Sequence, residues 1–467
     1  MRKESVKSKK PSLLCRWVWG VALGVLVVGL AASAVGQTVE DFEELDERCW
    51  KLMEAGRYEE AERLARKLLQ WAEGPLAWDP GALPRACHTL GVLYYYQGQY
   101  EQAEAMYHKL LAIDQKSLPP NHLTLATDYL SLGLVYAQQG RYAEAEAMLQ
   151  KALAIRQKSL PPNHPDLAAS YNNLGSLYAD QGRYTEAEAM YKKALTIWQK
   201  SLPPNHPDLA TSYNNLGTLY HEQGRYAEAE AMYKKALAMS QKSLPPNHPD
   251  LATSYHNLAT VYQAQGRYAE AEAMLQKALA IFEKSLLPNH PHLATSYNNL
   301  GTLYADQGRY AEAEAMLQKA LAIVEKSLAP NQLDLAQSYH NLGTLYQHQG
   351  RYAEAEAMLQ KALAIFEKSL PDAPHLATSY SSLGALYAAQ ARYAEAEEAL
   401  REAIARAESH GLAHDALARA YRGLGEVAWA TGRPQEAITH LQKALEHIEW
   451  LRPQASTEEL HRAGFFQ

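Results

Sequence analysis

Glycine recurs at Gly56, Gly98, Gly140, Gly182, Gly224, Gly266, Gly308 and Gly350, each 42 residues after the last, and the series continues in slightly shorter steps through Ala391 and Gly432. By length alone, 467 residues suggest about three globular domains. A fixed period of roughly 20 to 50 residues instead means a stacked array, here of ten copies, each burying its apolar face only against its neighbours. Tyrosine follows the same period. The chain has 30 Tyr and only 5 Phe, an imbalance that one copied set of positions explains better than unrelated domains would.

One central copy, Ala168 to Asn205, reads as a helical hairpin. Tyr171, Leu174, Gly175 and Tyr178 lie at i, i+3, i+4 and i+7, one face of a helix. Gln181-Gly182 ends that helix, glycine supplying the positive φ common at such ends, and Arg183-Tyr184 opens a second. Ala187, Met190, Tyr191, Ala194 and Ile197 keep the helical spacing until Leu202-Pro203-Pro204-Asn205-His206-Pro207 starts the next copy, with Pro207 suited to a first helical turn. Gly175 inside a helix costs about 1 kcal/mol relative to alanine, so its recurrence argues for close helix contact. Ala259 replaces it once, which suggests that a methyl group fits. The tyrosines sit four residues before this glycine (Tyr129, Tyr171 and their equivalents), three after it (Tyr94 to Tyr387) and just past the turn (Tyr58 to Tyr393), and are expected to pack between helices.

Tyr-Asn-Asn-Leu-Gly-x-Leu-Tyr, Gln-Gly-Arg-Tyr-x-Glu-Ala-Glu, Lys-Ala-Leu and Asn-His-Pro in succession resemble tetratricopeptide repeats of the long, kinesin-light-chain-like kind. The resemblance covers about 42–451 and implies an all-α, right-handed superhelical solenoid of antiparallel helix pairs. It also implies that the first helices line a concave groove that holds a peptide or a segment of a partner protein. It does not imply a motor, since sustained heptads are absent here.

The amino terminus has a different character. Arg2, Lys3, Lys7, Lys9, Lys10 and Arg16 precede an apolar stretch from Trp17 to Val35, and Ala32, Ala34 and Gly36 offer small residues at the spacing a signal peptidase needs. Residues 1–36 are therefore expected to be a signal peptide, or an uncleaved membrane anchor, since the stretch is close to the roughly 20 residues that span a bilayer. Both readings place the repeats outside the cytoplasm, in the periplasm or an equivalent compartment, with the basic residues inside. Residues 452–467 form a tail whose Phe465-Phe466 either covers the last copy or meets a partner.

Charge and chemistry narrow the function. Six of the 45 basic residues, against one of the 52 acidic ones, fall in the first 36 positions, so the repeats are more acidic than the net −7 of the whole. Such a body repels polyphosphate, and no nucleic-acid motif is present. The repeats leave no room for a catalytic domain, and no cofactor or metal is expected. His122, His164, His206, His248 and His290 recur at the junctions, but equivalent side chains on helices about 8–10 Å apart should not share one ion, so they are expected to serve the helix starts. Glu188 with Lys192 and Glu230 with Lys234 are i,i+4 pairs on a solvated face. Cys49 and Cys87 fall on adjacent helices, as a disulfide clip between the first two copies or as two buried thiols.

The candidate groove lies opposite the packing face. Asn173, Asn215, Asn257, Asn299 and Asn341 stand two residues before the close-contact position of five successive copies, with Thr211, Thr218 and their equivalents at helical spacing. Asparagine donates and accepts, so such a ladder can hold a peptide backbone, or bond only from copy to copy. One residue earlier, Asn172, Asn214 and Asn298 alternate with His256 and His340, and Asp180, Glu222, Ala264, Asp306 and His348 vary at the helix end. These variable positions are the expected source of selectivity, with a basic or neutral partner and pH sensitivity near 6 to 7 if the histidines face it. The function expected is a non-enzymatic scaffold for a protein or peptide, or a structural, self-associating solenoid.

Overall fold

The computed structural model describes residues 38–326, 332–369, 375–409 and 414–451. Among them are twenty α-helices and no strand. They divide between Ser117 and Leu118 into two compact bodies. The first holds α1 (Val39–Glu54), α2 (Tyr58–Glu73), α3 (Ala82–Tyr96) and α4 (Tyr100–Ser117). The second holds α5 (Leu123–Gln138), α6 (Tyr142–Ser159), α7 (Pro165–Asp180), α8 (Tyr184–Ser201), α9 (Pro207–Glu222), α10 (Tyr226–Ser243), α11 (Pro249–Ala264), α12 (Tyr268–Ser285), α13 (Pro291–Asp306) and α14 (Tyr310–Lys326). It continues with α15 (Gln332–His348), α16 (Tyr352–Ser369), α17 (His375–Ala389), α18 (Tyr393–Ser409), α19 (His414–Ala430) and α20 (Pro434–Leu451). The export segment and the tail read from the sequence lie outside the described residues.

Helix ends fall where local chemistry puts them. The junction histidines cap: Nδ1 of His164, His206, His248 and His290 accepts from the backbone N–H two residues on, at 3.2 Å in each case. A proline at the first turn follows each of these caps. At the other end Gly182 takes φ 71°, and Ala391 is forced into the same left-handed region at φ 59°.

Within the second body, consecutive helices pair as hairpins and each second helix packs on the first helix of the next hairpin. Leu174, Leu177 and Tyr178 of α7 are buried with Ala187, Tyr191, Ala194 and Trp198 of α8. The recurring glycine marks the closest approach. A Cβ on Gly217 would sit 2.7 Å from the Tyr233 ring, and one on Gly301 2.7 Å from Leu317. Ala259 carries the methyl that the sequence suggested fits at this position, and both it and Leu275, sixteen residues on, are buried.

A second set of bonds ties hairpin to hairpin. Arg225 donates to Glu188 of the preceding hairpin at 2.8 Å and to Glu228 of its own at 2.5 Å, while Tyr220 donates its hydroxyl to Glu188 at 3.0 Å. The Arg225 guanidinium lies 4.0 Å from the Tyr220 ring centre. The same set recurs at Arg183 with Glu146 and Tyr178, and at Arg309 with Glu272 and Tyr304. Lys192 completes the first, at 2.6 Å from Glu188. Burial alone would raise the Glu188 carboxyl, but hydrogen bonds from Arg225, Lys192 and Tyr220 outweigh it and hold it at about 2. The tyrosines before the glycine are tied as well: Gln199 donates to the Tyr213 hydroxyl at 3.0 Å, and Lys235 lies 5.4 Å from its ring centre.

In the first body the disulfide clip between Cys49 and Cys87 is not formed; both are buried free thiols. Cys49 takes the close-contact position and turns into its own hairpin, its Sγ donating to the Ala61 carbonyl at 3.3 Å. Burial pushes it up to about 12, and Cys87 up to about 11.

Two backbone positions give opposite expectations. Ala391→Gly relieves a left-handed alanine and should stabilise the protein by about 1 kcal/mol. Gly217→Ala should destabilise it by about 1 kcal/mol, because overpacking against Tyr233 outweighs the gain in helix propensity. Denaturant midpoints of the two variants check both signs.

Candidate partner-binding face

The central first helices of the second body carry one largely polar stripe at i, i+4, i+7 and i+11. In α9 it is Thr211, Asn215, Thr218 and Glu222; in α11 Thr253, Asn257, Thr260 and Ala264; in α13 Thr295, Asn299, Thr302 and Asp306. The threonines and terminal acids are exposed and the asparagines half-buried. The stripe exists because the other three sides of α9, α11 and α13 are used, against their own second helices and against the hairpins on either side.

The structure separates the two asparagine rows. Asn173, Asn257 and Asn299 keep side-chain amides without a hydrogen-bond partner among the described residues, whereas Asn215 Nδ2 donates to Asn172 Oδ1 at 2.8 Å and Asn341 Oδ1 accepts from Gln337. The row one residue earlier is turned by about 100° and points into the next hairpin. Asn298 Nδ2 donates to Ser338 Oγ at 3.3 Å, and His256 Nε2 lies 3.2 Å from Ser296 Oγ. Asn214 Oδ1 and His340 Nδ1 are buried without a partner. The expectation that Asn172, Asn214, His256, Asn298 and His340 vary for recognition is therefore corrected: they fill the joint between successive first helices. His256 packs edge-on against Phe282, ring centres 5.8 Å apart. Burial drives His256 and His340 down to about 4, helped by His292 beside the former and by His375 and Arg419 beside the latter. The expected sensitivity near pH 6 to 7 at these histidines is overturned for the same reason.

Sequence reasoning missed how the stripe is braced from behind. Tyr191 and Tyr233 on the second helices reach the hydroxyls of Ser176 and Thr218 at 3.0 and 2.9 Å. The signal was readable: a tyrosine sixteen residues after the close-contact glycine, where other copies have leucine. At the helix ends partial desolvation raises the carboxyls of Asp180, Glu222 and Asp306, exposed though they are, and Asp180 adds to the effect on Glu222. Gln263 donates to Asp306 at 2.6 Å. Among the described residues no group of three or more His, Cys, Asp or Glu is placed to hold a metal, and no helix is long and apolar enough to cross a membrane.

A tetratricopeptide repeat family model matches residues 84–158, 166–242, 250–326 and 334–409, more than half of the chain, and a second one matches 130–201 and 382–449. No curated protein matches by sequence. Among solved structures, the nearly identical TPR-like repeats of a kinesin light chain from Podosopora anserina are 30% identical, covering 44% of this chain and 99% of that one with a TM-score of 0.40. The apo quorum sensor NprR from B. thuringiensis is 16% identical over 79% of this chain and 99% of its own, with a TM-score of 0.55. A Rap protein complexed with Competence and Sporulation Factor is 18% identical over 80% of this chain and 99% of its own, with a TM-score of 0.53.

The buried histidines carry a pH signature. An unfolded chain takes up protons at histidine near pH 6.5, but the folded state resists until about pH 4. Between these values the unfolded state binds more protons, so stability falls as pH falls, by on the order of 1 kcal/mol per pH unit for each histidine. Replacing His256 and His340 with asparagine, the residue at the equivalent position of neighbouring copies, should flatten that slope in unfolding measurements from pH 7 to 4.

Proposed function

The chain belongs to the tetratricopeptide repeat family, and from this premise we propose that it is a non-enzymatic, exported scaffold that holds a protein or peptide on the polar stripe of its first helices. The observation that carries the reading is the row of half-buried asparagine amides at Asn173, Asn257 and Asn299, left without partners on a face whose threonines are exposed. An extended backbone offers alternating donors and acceptors, which such amides satisfy whatever the ligand's side chains are. The Rap structure with its bound factor is a precedent for a ligand on a related fold. Simultaneous Asn173→Ala, Asn257→Ala and Asn299→Ala should weaken capture of the partner at least tenfold, while circular dichroism and the unfolding midpoint stay close to the parent. Undiminished capture would remove the stripe from consideration.

Export rests on the amino-terminal pattern: six basic residues, the apolar run Trp17 to Val35, and small residues at Ala32, Ala34 and Gly36. In this reading residues 1–36 are a signal peptide or an anchor, residues 42–451 the repeat array and 452–467 a tail. Amino-terminal sequencing of the cellular protein should find a start at Val35 or Gln37 if the segment is cleaved. Detection only in the cytoplasm would refute export.

A second reading, self-association, is favoured by the last hairpin, where Trp429, Ile438, Leu441 and Leu445 are exposed. Sedimentation at increasing concentration separates the two: a persistent monomer leaves the scaffold, and growth with concentration favours assembly.

A further inference from the structure

The distribution of charge across the second body is uneven in a way the packing does not require. From α5 to α17 the first helix of every hairpin lacks lysine and arginine altogether, and basic residues return to a first helix only in α19, as Arg419 and Arg422. The nearest cations are consumed. Arg183 is bound by Glu146 and Glu186, Arg225 by Glu188 and Glu228, and Arg309 by Glu272 and Glu312.

Acids stand on the same stripe at its least favourable place. Asp180, Glu222 and Asp306 are the last residues of α7, α9 and α13. The carboxyl end of a helix carries a partial negative charge that stabilises cations and repels carboxylates. None of the three has a lysine or arginine partner among the described residues, although His348 attracts Asp306, and Asp180 and Glu222 repel each other across neighbouring hairpins. Partial desolvation by the surrounding side chains disfavours their charged forms further. A scaffold selected for stability alone would place lysine there. These charges are left for something to neutralise from outside.

We propose that the stripe takes an extended basic segment of a partner protein, whose lysine or arginine side chains meet Asp180, Glu222 and Asp306. This deepens the groove reading above and rests on it. Packed first helices succeed each other at about 10 Å, and an extended chain advances about 3.3 Å per residue, so one hairpin corresponds to about three ligand residues. Ala264 leaves α11 without an acid, and His348 ends the series at α15. The ligand therefore has basic residues spaced by three and then by six, in one chain direction or the other, with uncharged residues between.

The test uses the full chain with a photo-crosslinking residue at the exposed position Thr260, as Thr260→p-benzoylphenylalanine, and synthetic peptides of thirteen residues. Two carry lysine at the proposed spacing, one in each direction, in a serine background; a third has three adjacent lysines and a fourth has none. One spaced peptide should label at least tenfold more strongly than the adjacent-lysine and neutral peptides. Labelling should fall at least tenfold in the Asp180→Asn, Glu222→Gln, Asp306→Asn protein and with raised salt. The unfolding midpoint of that variant should be unchanged or higher, since wrong-sign charges have been removed, so lost labelling would not reflect lost structure. Equal labelling by the neutral peptide would leave the groove standing and overturn its preference for a basic ligand. Undiminished labelling of the charge-neutralised protein would overturn it too. No labelling by any peptide would overturn the inference together with the groove.

Discussion

From α7 onward, each hairpin of the second body is joined to the one before it by an arginine. A pair of helices this short cannot bury a two-sided apolar face by itself, so its stability is a sum of interface terms with its neighbours. Arg225 supplies polar order to such an interface: it bridges Glu188 and Glu228 while its guanidinium covers the Tyr220 ring, whose hydroxyl also reaches Glu188. A partly exposed ion pair contributes only about 0.2–1 kcal/mol. The ring beneath it is almost fully buried, and the arginine lets the tyrosine hydroxyl end on a charged acceptor. Repetition fixes the register of every joint along the second body.

That register decides what remains for recognition. A first helix has four sides: one meets its own second helix, two meet adjacent hairpins, and one is left. Asn172 and Asn173 are chemically identical neighbours, yet a turn of about 100° sends the former to Asn215 in the next hairpin and leaves the latter on the stripe. His256 and His340, the most chemically suggestive residues of the row, are buried in the joint and kept neutral there. The stripe is left with amides, hydroxyls and carboxylates.

Much of this was legible residue by residue. Gly182 announced a helix end, Pro207 a first turn, and Gly175 a close approach, since each is a local demand of backbone or sterics that few residues meet. Glu188 with Lys192 was read as a solvated pair; the two meet at 2.6 Å, but only Lys192 is exposed and the Glu188 side chain is largely buried. Its larger role, as acceptor of Arg225 thirty-seven residues away, was hidden because helical spacing reports only contacts within a helix. The thiols show the same boundary. Cys49 and Cys87 lie on the first helices of successive hairpins, α1 and α3, but the side chain of Cys49 turns toward Ala61 in its own hairpin.

The sequence by itself determined the repeat, its hairpin, the helix limits and the polar character of the unpacked side, because period, turn chemistry and apolar spacing are properties of consecutive residues. Only the tertiary structure decided which asparagines face outward, which histidines are silenced by burial, and where carboxylates such as Asp180 and Glu222 stand without cations. Those outcomes depend on the rotation of one helix against the next hairpin, a quantity set by packing between residues about forty positions apart, as Asn172 and Asn215 are.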